Sequence, residues 1–133
     1  MILIISGTNR QKSNSIRLAR HCQKVLESQN AATEILDLAH LPVEALSPTA
    51  YAQKPEGWAP FQDAINRAKA VWVIVPEYNG SFPGALKMFI DLLEHPNSLK
   101  GLPSAFVGLA SGRWGALRAV EQLEMVFQYR YAH

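Results

Sequence analysis

Four short strand-like runs alternate along the chain with stretches in which apolar residues recur every three or four positions. Ile2-Leu3-Ile4-Ile5 is a continuous run, as expected for a strand covered on both faces. Residues 15–29 read as a helix, with Leu18, Ala19, Cys22, Val25 and Leu26 on one face and Arg17, Arg20, Lys24 and Glu27 pointing away. Thr33-Glu34-Ile35-Leu36-Asp37 is a second strand, more polar and therefore nearer an edge. Residues 38–58 carry Pro42, Pro48, Pro55 and Gly57; a connection of that length is usually functional or mobile. A helix over 60–69 buries Phe61, Ala64, Ile65 and Ala68. Ala70-Val71-Trp72-Val73-Ile74-Val75 is apolar throughout and reads as the central strand. Pro83 suits the first turn of a third helix, which buries Leu86, Phe89, Ile90 and Leu93. Ser104-Ala105-Phe106-Val107-Gly108-Leu109 is the fourth strand, and a helix over 115–128 buries Ala116, Ala119, Val120, Leu123 and Phe127.

This alternation predicts an α/β fold, a parallel sheet with helices on both faces. Ligands of such sheets sit beyond the carboxyl ends of the strands, near the point where strand order reverses. For the order 2-1-3-4 that point lies between the first and third strands, so the loops after strands one, three and four matter most. The first, Gly7-Thr8-Asn9-Arg10-Gln11-Lys12-Ser13-Asn14-Ser15, runs into a helix N-terminus, where free N–H groups favour a phosphate. Its hydroxyls, amides and Arg10 add donors, although one of Ser13 or Asn14 is enough to cap the helix. Neither GxGxxG nor GxxxxGK[ST] is present, and a loop of hydroxyl and amide side chains suits a single terminal monophosphate. The second loop carries Asn79-Gly80, a turn with positive φ, and Tyr78 as an aromatic surface. The third, Ala110-Ser111-Gly112-Arg113-Trp114-Gly115, has two glycines that let backbone approach a ligand closely. One phosphate and one flat ring on a common rim describe flavin mononucleotide (FMN).

The first loop, GTNRQKSNS, resembles the phosphate loop of the NAD(P)H-dependent FMN reductase family. PEYNGSFPGALKMFID resembles that family's motif PEYNxSxPGxLKNxxD, with Met88 where the family has Asn. The likeness runs from Met1 to about Gln128. It implies a flavodoxin-like three-layer α/β/α fold, a single domain over residues 1–133, FMN as cofactor and NAD(P)H as co-substrate. A flavin, a quinone or another small molecule would be the electron acceptor. Thr8, Arg10, Ser13, Asn14 and Ser15 would hold the flavin phosphate. Pro76, Glu77, Tyr78, Asn79 and Gly80 would border the isoalloxazine and ribityl chain, and Ser111 and Gly112 the pyrimidine end. Hydride transfer is cofactor chemistry, and no residue is assigned as a catalytic acid or base. Tyr78 and residues 38–58 are the candidates for shaping the nicotinamide side. The family fold closes with a fifth strand and helix that have no counterpart here. Either the domain is C-terminally truncated, or four strands suffice, or a partner covers the exposed edge of strand four; self-association as a homodimer or homotetramer is expected.

Composition narrows the alternatives. Apolar residues make up 48% of 133, enough for one core, and the net charge of +2 comes without any run of Lys and Arg. No nucleic-acid surface is expected. His21, His40, His95 and His133 lack metal-ligand spacing, and Cys22, alone on a helix face, reads as core. No apolar stretch suits a membrane span or a signal peptide, so a cytoplasmic protein is expected. Lys87 and Asp91 are spaced to pair on a helix surface, Glu77 reads as a carboxylate that orders its loop or pairs with a neighbouring subunit, and Trp72, inside a strand, reads as core. Two other readings stay open: an electron carrier without turnover, disfavoured by the mildly basic surface, and a binding protein that has lost its cofactor.

Overall fold

The computed structural model describes residues 1–133. Its strands β1 (Ile2–Ser6), β2 (Thr33–Asp37), β3 (Ala70–Pro76) and β4 (Ser104–Leu109) pair in parallel in the order β2-β1-β3-β4. Helices α1 (Asn14–Ser28), α2 (Ala59–Arg67), α3 (Gly84–Leu92) and α4 (Leu117–Tyr129) complete the flavodoxin-like alternation. The register brings the strand ends together: Ser6 lies opposite Ile74 on one side and Asp37 on the other, and Pro76 lies opposite Leu109.

Residue parity along the strands divides the molecule into two packed layers. Leu3, Ile5, Val71, Val73 and Val75 face α2, α3 and α4 in the main core. Trp58, Phe61 and Phe89 meet there with ring centroids 6.0–6.4 Å apart. Ile4 and Ile74 face the other way, onto Ile16 and Ala19 of α1. Only α1 covers this second face, so Trp72, Val107 and Leu109 are half-buried and Ala105 is exposed. The packed stripe of α1 is rotated from the expected one. Ile16 and Ala19 are its most buried apolar residues, Leu18, Cys22 and Leu26 are half-buried, and Val25 is 49% exposed. One helix lying over β1 needs only a narrow stripe. Desolvation pushes the Cys22 thiol above its ordinary pKa.

The long connection after β2 is not a loose loop. It folds as three short 3-10 turns, Leu38–His40, Val43–Leu46 and Pro48–Tyr51, between its prolines. Asp37 and Ser47 accept the N–H groups of Ala39 and Thr49. Leu38, Ala45, Ala50 and Trp58 are buried by this path, so the segment closes the core beside α3. The C-terminal end of α3 is tied down by Arg130, which is 6% exposed and donates to the carbonyls of Ile90 (3.0 Å) and Glu94 (2.9 Å). These guanidinium donors add to the backbone N–H groups of Leu93 and Ser98, which reach the same two carbonyls. The chain then returns to β4, where His133 N–H donates to Leu102 O and His133 O accepts from Ser104 N–H, the pattern of a parallel ladder.

Gly7 is the position at which this arrangement is most sensitive. Its N–H donates to Ile74 O at 3.0 Å, and a Cβ there would lie 2.4 Å from that same oxygen. We expect Gly7→Ala to cost about 1–3 kcal/mol, the range for forced overpacking. Gly84→Ala, whose Cβ meets nothing within 4 Å, is expected to be neutral or slightly stabilising. Urea denaturation followed by far-UV circular dichroism compares the two.

Candidate functional site

The first loop leaves β1 through a buried turn. Thr8 is fully buried; its N–H donates to Ser6 O, and its Oγ1 accepts the Arg10 N–H at 3.3 Å. Beyond Arg10 the loop turns through Lys12, held at φ +52°. Ser13 caps α1 by accepting the Ile16 N–H at 3.2 Å, and Asn14 Oδ1 accepts from the Arg17 guanidinium at 3.1 Å. The backbone N–H groups of Gln11, Lys12, Ser13, Asn14 and Ser15 have no acceptor within the chain. A row of free donors at the start of a fifteen-residue helix, with Arg10 and Lys12 beside it, has the charge and geometry that favour an anion.

The second loop continues from β3. Glu77 N–H donates to Leu109 O (3.2 Å), extending the ladder by one rung. Tyr78 and Ser81 then exchange backbone hydrogen bonds of 2.8 and 3.2 Å around Asn79 (φ +53°) and Gly80 (φ +77°). Two successive positive φ values make this a type I′ hairpin turn, the Asn-Gly preference in its usual place. Gln122 of α4 brackets the turn from behind. Its Nε2 donates to Gly80 O at 3.0 Å, and its Oε1 accepts from Ser81 Oγ at 2.7 Å. Tyr78 reaches back to the first loop: its hydroxyl lies 2.7 Å from Thr8 Oγ1, and the Arg10 guanidinium sits 5.9 Å over its ring.

The third loop packs back onto β4 at Gly108. A Cβ on Gly108 would fall 2.3 Å from Gly115 O, whereas Gly112 has open space around it. Gly115 and Ala116 are both left-handed (φ +56° and +66°), so α4 starts at Leu117, two residues later than the periodicity suggests. Trp114 is 60% exposed, with the Arg113 guanidinium 5.1 Å over its ring.

These loops enclose two adjoining cavities. One, of about 450 Å³, is lined by residues 10–15, 76–78 and 109–111. The other, of about 190 Å³, is lined by Glu77, residues 110–112 and residues 114–116. They share Glu77, Ala110 and Ser111 and so form one furrow, polar and cationic at α1 and less polar towards Trp114. Its size suits a small organic ligand, about 300–1,000 Å³. Arg10, Ser13, Asn14, Ser15, Pro76, Glu77, Tyr78, Ser111 and Gly112 line it, as the sequence suggests. Thr8, Asn79 and Gly80 do not: Thr8 is sealed beneath the loop, and the other two form the turn behind it. Residues 38–58 supply no wall: Leu38, Ala45, Ala50 and Trp58 pack in the core, while Val43, Leu46 and Tyr51 are exposed away from the furrow. Lys12, Ala110 and Trp114 are additional lining residues whose adjacency to the motifs was the available signal. Nothing in the sequence marks Gln122. A larger cavity of about 720 Å³ lies elsewhere, between α3 and α4, among Phe82, Ile90, Met125, Val126 and Tyr129. It has no comparable row of anion donors.

Comparison with known proteins follows the same lines. The family model described as NADPH-dependent FMN reductase matches residues 1–133. A quinone reductase of Pseudomonas putida is 34% identical over 132 residues, covering 91% of this chain and 67% of that protein. An NAD(P)H-dependent FMN reductase of Pseudomonas aeruginosa is 31% identical, covering 99% and 71%. FerB of Paracoccus denitrificans, a flavoenzyme NAD(P)H:(acceptor) oxidoreductase, superimposes with a TM-score of 0.81 at 29% identity, covering 98% of this chain and 72% of that one.

The bracket from α4 is directly testable. Gln122→Ala is expected to speed amide exchange at Tyr78 and Ser81 while lowering global stability by only about 0.5–1.5 kcal/mol. Hydrogen-exchange mass spectrometry beside urea denaturation separates the two effects.

Proposed function

The chain belongs to the NADPH-dependent FMN reductase family, and we propose that it is a flavin-dependent NAD(P)H oxidoreductase. In this reading one domain, residues 1–133, holds FMN in the furrow and reduces a quinone, a flavin or another small acceptor. The observation that carries it is the row of free N–H groups over residues 11–15, opening into a furrow walled by two further strand ends. Donors without acceptors, joined by Arg10 and Lys12, fit a phosphate monoester. The names of the relatives support quinone and flavin acceptors.

FMN, when bound, supplies the redox chemistry, accepting hydride from a nicotinamide and releasing electrons to the acceptor. The chain's own residues bind and orient. Arg10, Ser13, Asn14 and Ser15 hold the phosphate, with Thr8 beneath them. Pro76, Glu77 and Tyr78 border the ring and ribityl chain, and Asn79-Gly80 shapes the turn that carries them. Ser111 and Gly112 close the far end, and the exposed Trp114 stands at its mouth. No side chain is assigned as a catalytic acid or base.

The same reading includes self-association as a homodimer or homotetramer. Leu117, Met125 and Tyr129 stand exposed along α4 in steps of four and eight residues, beside the apolar groove between α3 and α4. A face of that kind marks an interaction surface. No helix is long and apolar enough to cross a membrane. The reading places the protein in the cytoplasm, which suits the free thiol of Cys22.

Titration with FMN, followed by quenching of flavin fluorescence, is expected to show saturable one-to-one binding, and NADH or NADPH oxidation should then depend on added quinone. A chain that takes up no FMN would refute the reading. Arg10→Ala should weaken FMN binding roughly ten- to a hundredfold, the loss of a charge-assisted contact. Light scattering at micromolar concentration should give a mass above the 14.8 kDa of one chain.

A further inference from the structure

We infer that Tyr78 is a positioning residue for the phosphate end of the site: its hydroxyl, through Thr8, holds the first loop in the conformation that presents its donors. The inference rests on the flavin reading. Its sequence position places Tyr78 in the ring-bordering motif, and its ring does line the furrow. Its hydroxyl does something else. It lies 2.7 Å from Thr8 Oγ1, seventy residues away in sequence, and Thr8 is fully buried.

Thr8 is the pivot of the first loop. Its N–H is bound by Ser6 O, and its Oγ1 both meets the tyrosine and accepts the Arg10 N–H. Fixing Thr8 therefore fixes the backbone of Arg10, the residue that opens the row of free donors. The loop needs such a restraint. Lys12 sits in the left-handed region, and the N–H groups of residues 11–15 gain nothing from the chain itself. A non-glycine residue in that region costs about 1–2 kcal/mol, so a loop left alone relaxes away from it. Arg10 adds a second contact to the same tyrosine, with its guanidinium 5.9 Å over the ring.

Tyr78 is itself held from behind. The I′ turn that follows it is bracketed by Gln122, so a rigid path runs from α4 through the turn to Tyr78, then Thr8, then Arg10. The hydroxyl makes the one side-chain hydrogen bond between the ring loop and the phosphate loop. Its loss changes how the phosphate is gripped and leaves the ring surface in place.

Tyr78→Phe removes the hydroxyl and keeps the ring, and riboflavin is the probe that keeps the isoalloxazine and lacks the phosphate. We expect Tyr78→Phe to weaken FMN binding roughly three- to tenfold, the loss of one hydrogen bond, while riboflavin binding changes less than about twofold. The Arg10 amide should exchange faster in the unliganded variant. Thr8→Val should weaken FMN binding similarly, and the double variant should be no weaker than the worse single one. Equal loss for FMN and riboflavin would assign the hydroxyl to the ring and overturn the inference, as would unchanged FMN affinity in Tyr78→Phe. A wild-type chain that binds neither flavin refutes the flavin reading instead. Arg10 amide exchange still decides the restraint in that case: faster exchange in Tyr78→Phe upholds it, and unchanged exchange removes it.

Discussion

The hydrogen bond from Gly7 N–H to Ile74 O governs this molecule more than any other single contact. It forms where the chain leaves β1, just past the Ser6–Ile74 pair, and it keeps the departing backbone against β3. No side chain fits there. The first loop is therefore laid against the second before either can be filled by a ligand. In a parallel sheet every strand points the same way, so the loops that carry chemistry share one end. The Gly7 contact decides how closely the first two approach. Gly108 plays the corresponding part for the third loop, leaving room for the Gly115 carbonyl.

The furrow built this way is largely a backbone site. Its cationic end relies on N–H groups at the start of α1, and side chains serve mainly to hold that backbone in place. Ser13 is an example. Its hydroxyl is already used as the helix cap, so its contribution to an anion comes from its N–H. Among the free donors, Gln11, Lys12 and Asn14 belong to exposed residues that water can satisfy, whereas Ser15 is buried. The order of the site thus comes from outside it, from Thr8 below and from Gln122 and α4 behind.

Much of the fold was legible because the strands are short apolar runs bounded by prolines and glycines. Thr33–Asp37 and Ser104–Leu109 have the expected limits, and α3 buries the expected Leu86, Phe89 and Ile90, with Leu92 unanticipated and Leu93 buried just past the helix end. The failures have local causes. The left-handed pair Gly115-Ala116 delays α4, and alanine at positive φ gives no warning in sequence. Val25 follows helical spacing yet faces solvent, because α1 stands alone on its side of the sheet and has no neighbour to cover that position. The proline-rich stretch after β2 resembles a loop in composition, while Leu38, Ala45, Ala50 and Trp58 within it pack into the core. In the site, polar residues were recognised as such, but their partners were not. Nothing in the sequence distinguishes a threonine facing the furrow from one bonded to a tyrosine seventy residues on.

The three tryptophans stand in three different surroundings. Trp58 is 3% exposed between two phenylalanines, Trp72 is half-buried with an indole N–H that finds no acceptor, and Trp114 is mostly in water at the rim of the furrow. The protein therefore carries its own set of optical probes. Emission from Trp58 reports on the interior and emission from Trp72 on the thinly covered layer beside α1. Trp114 is the natural energy donor to any yellow chromophore lodged beside it, so uptake and melting can be followed separately in one sample without a label.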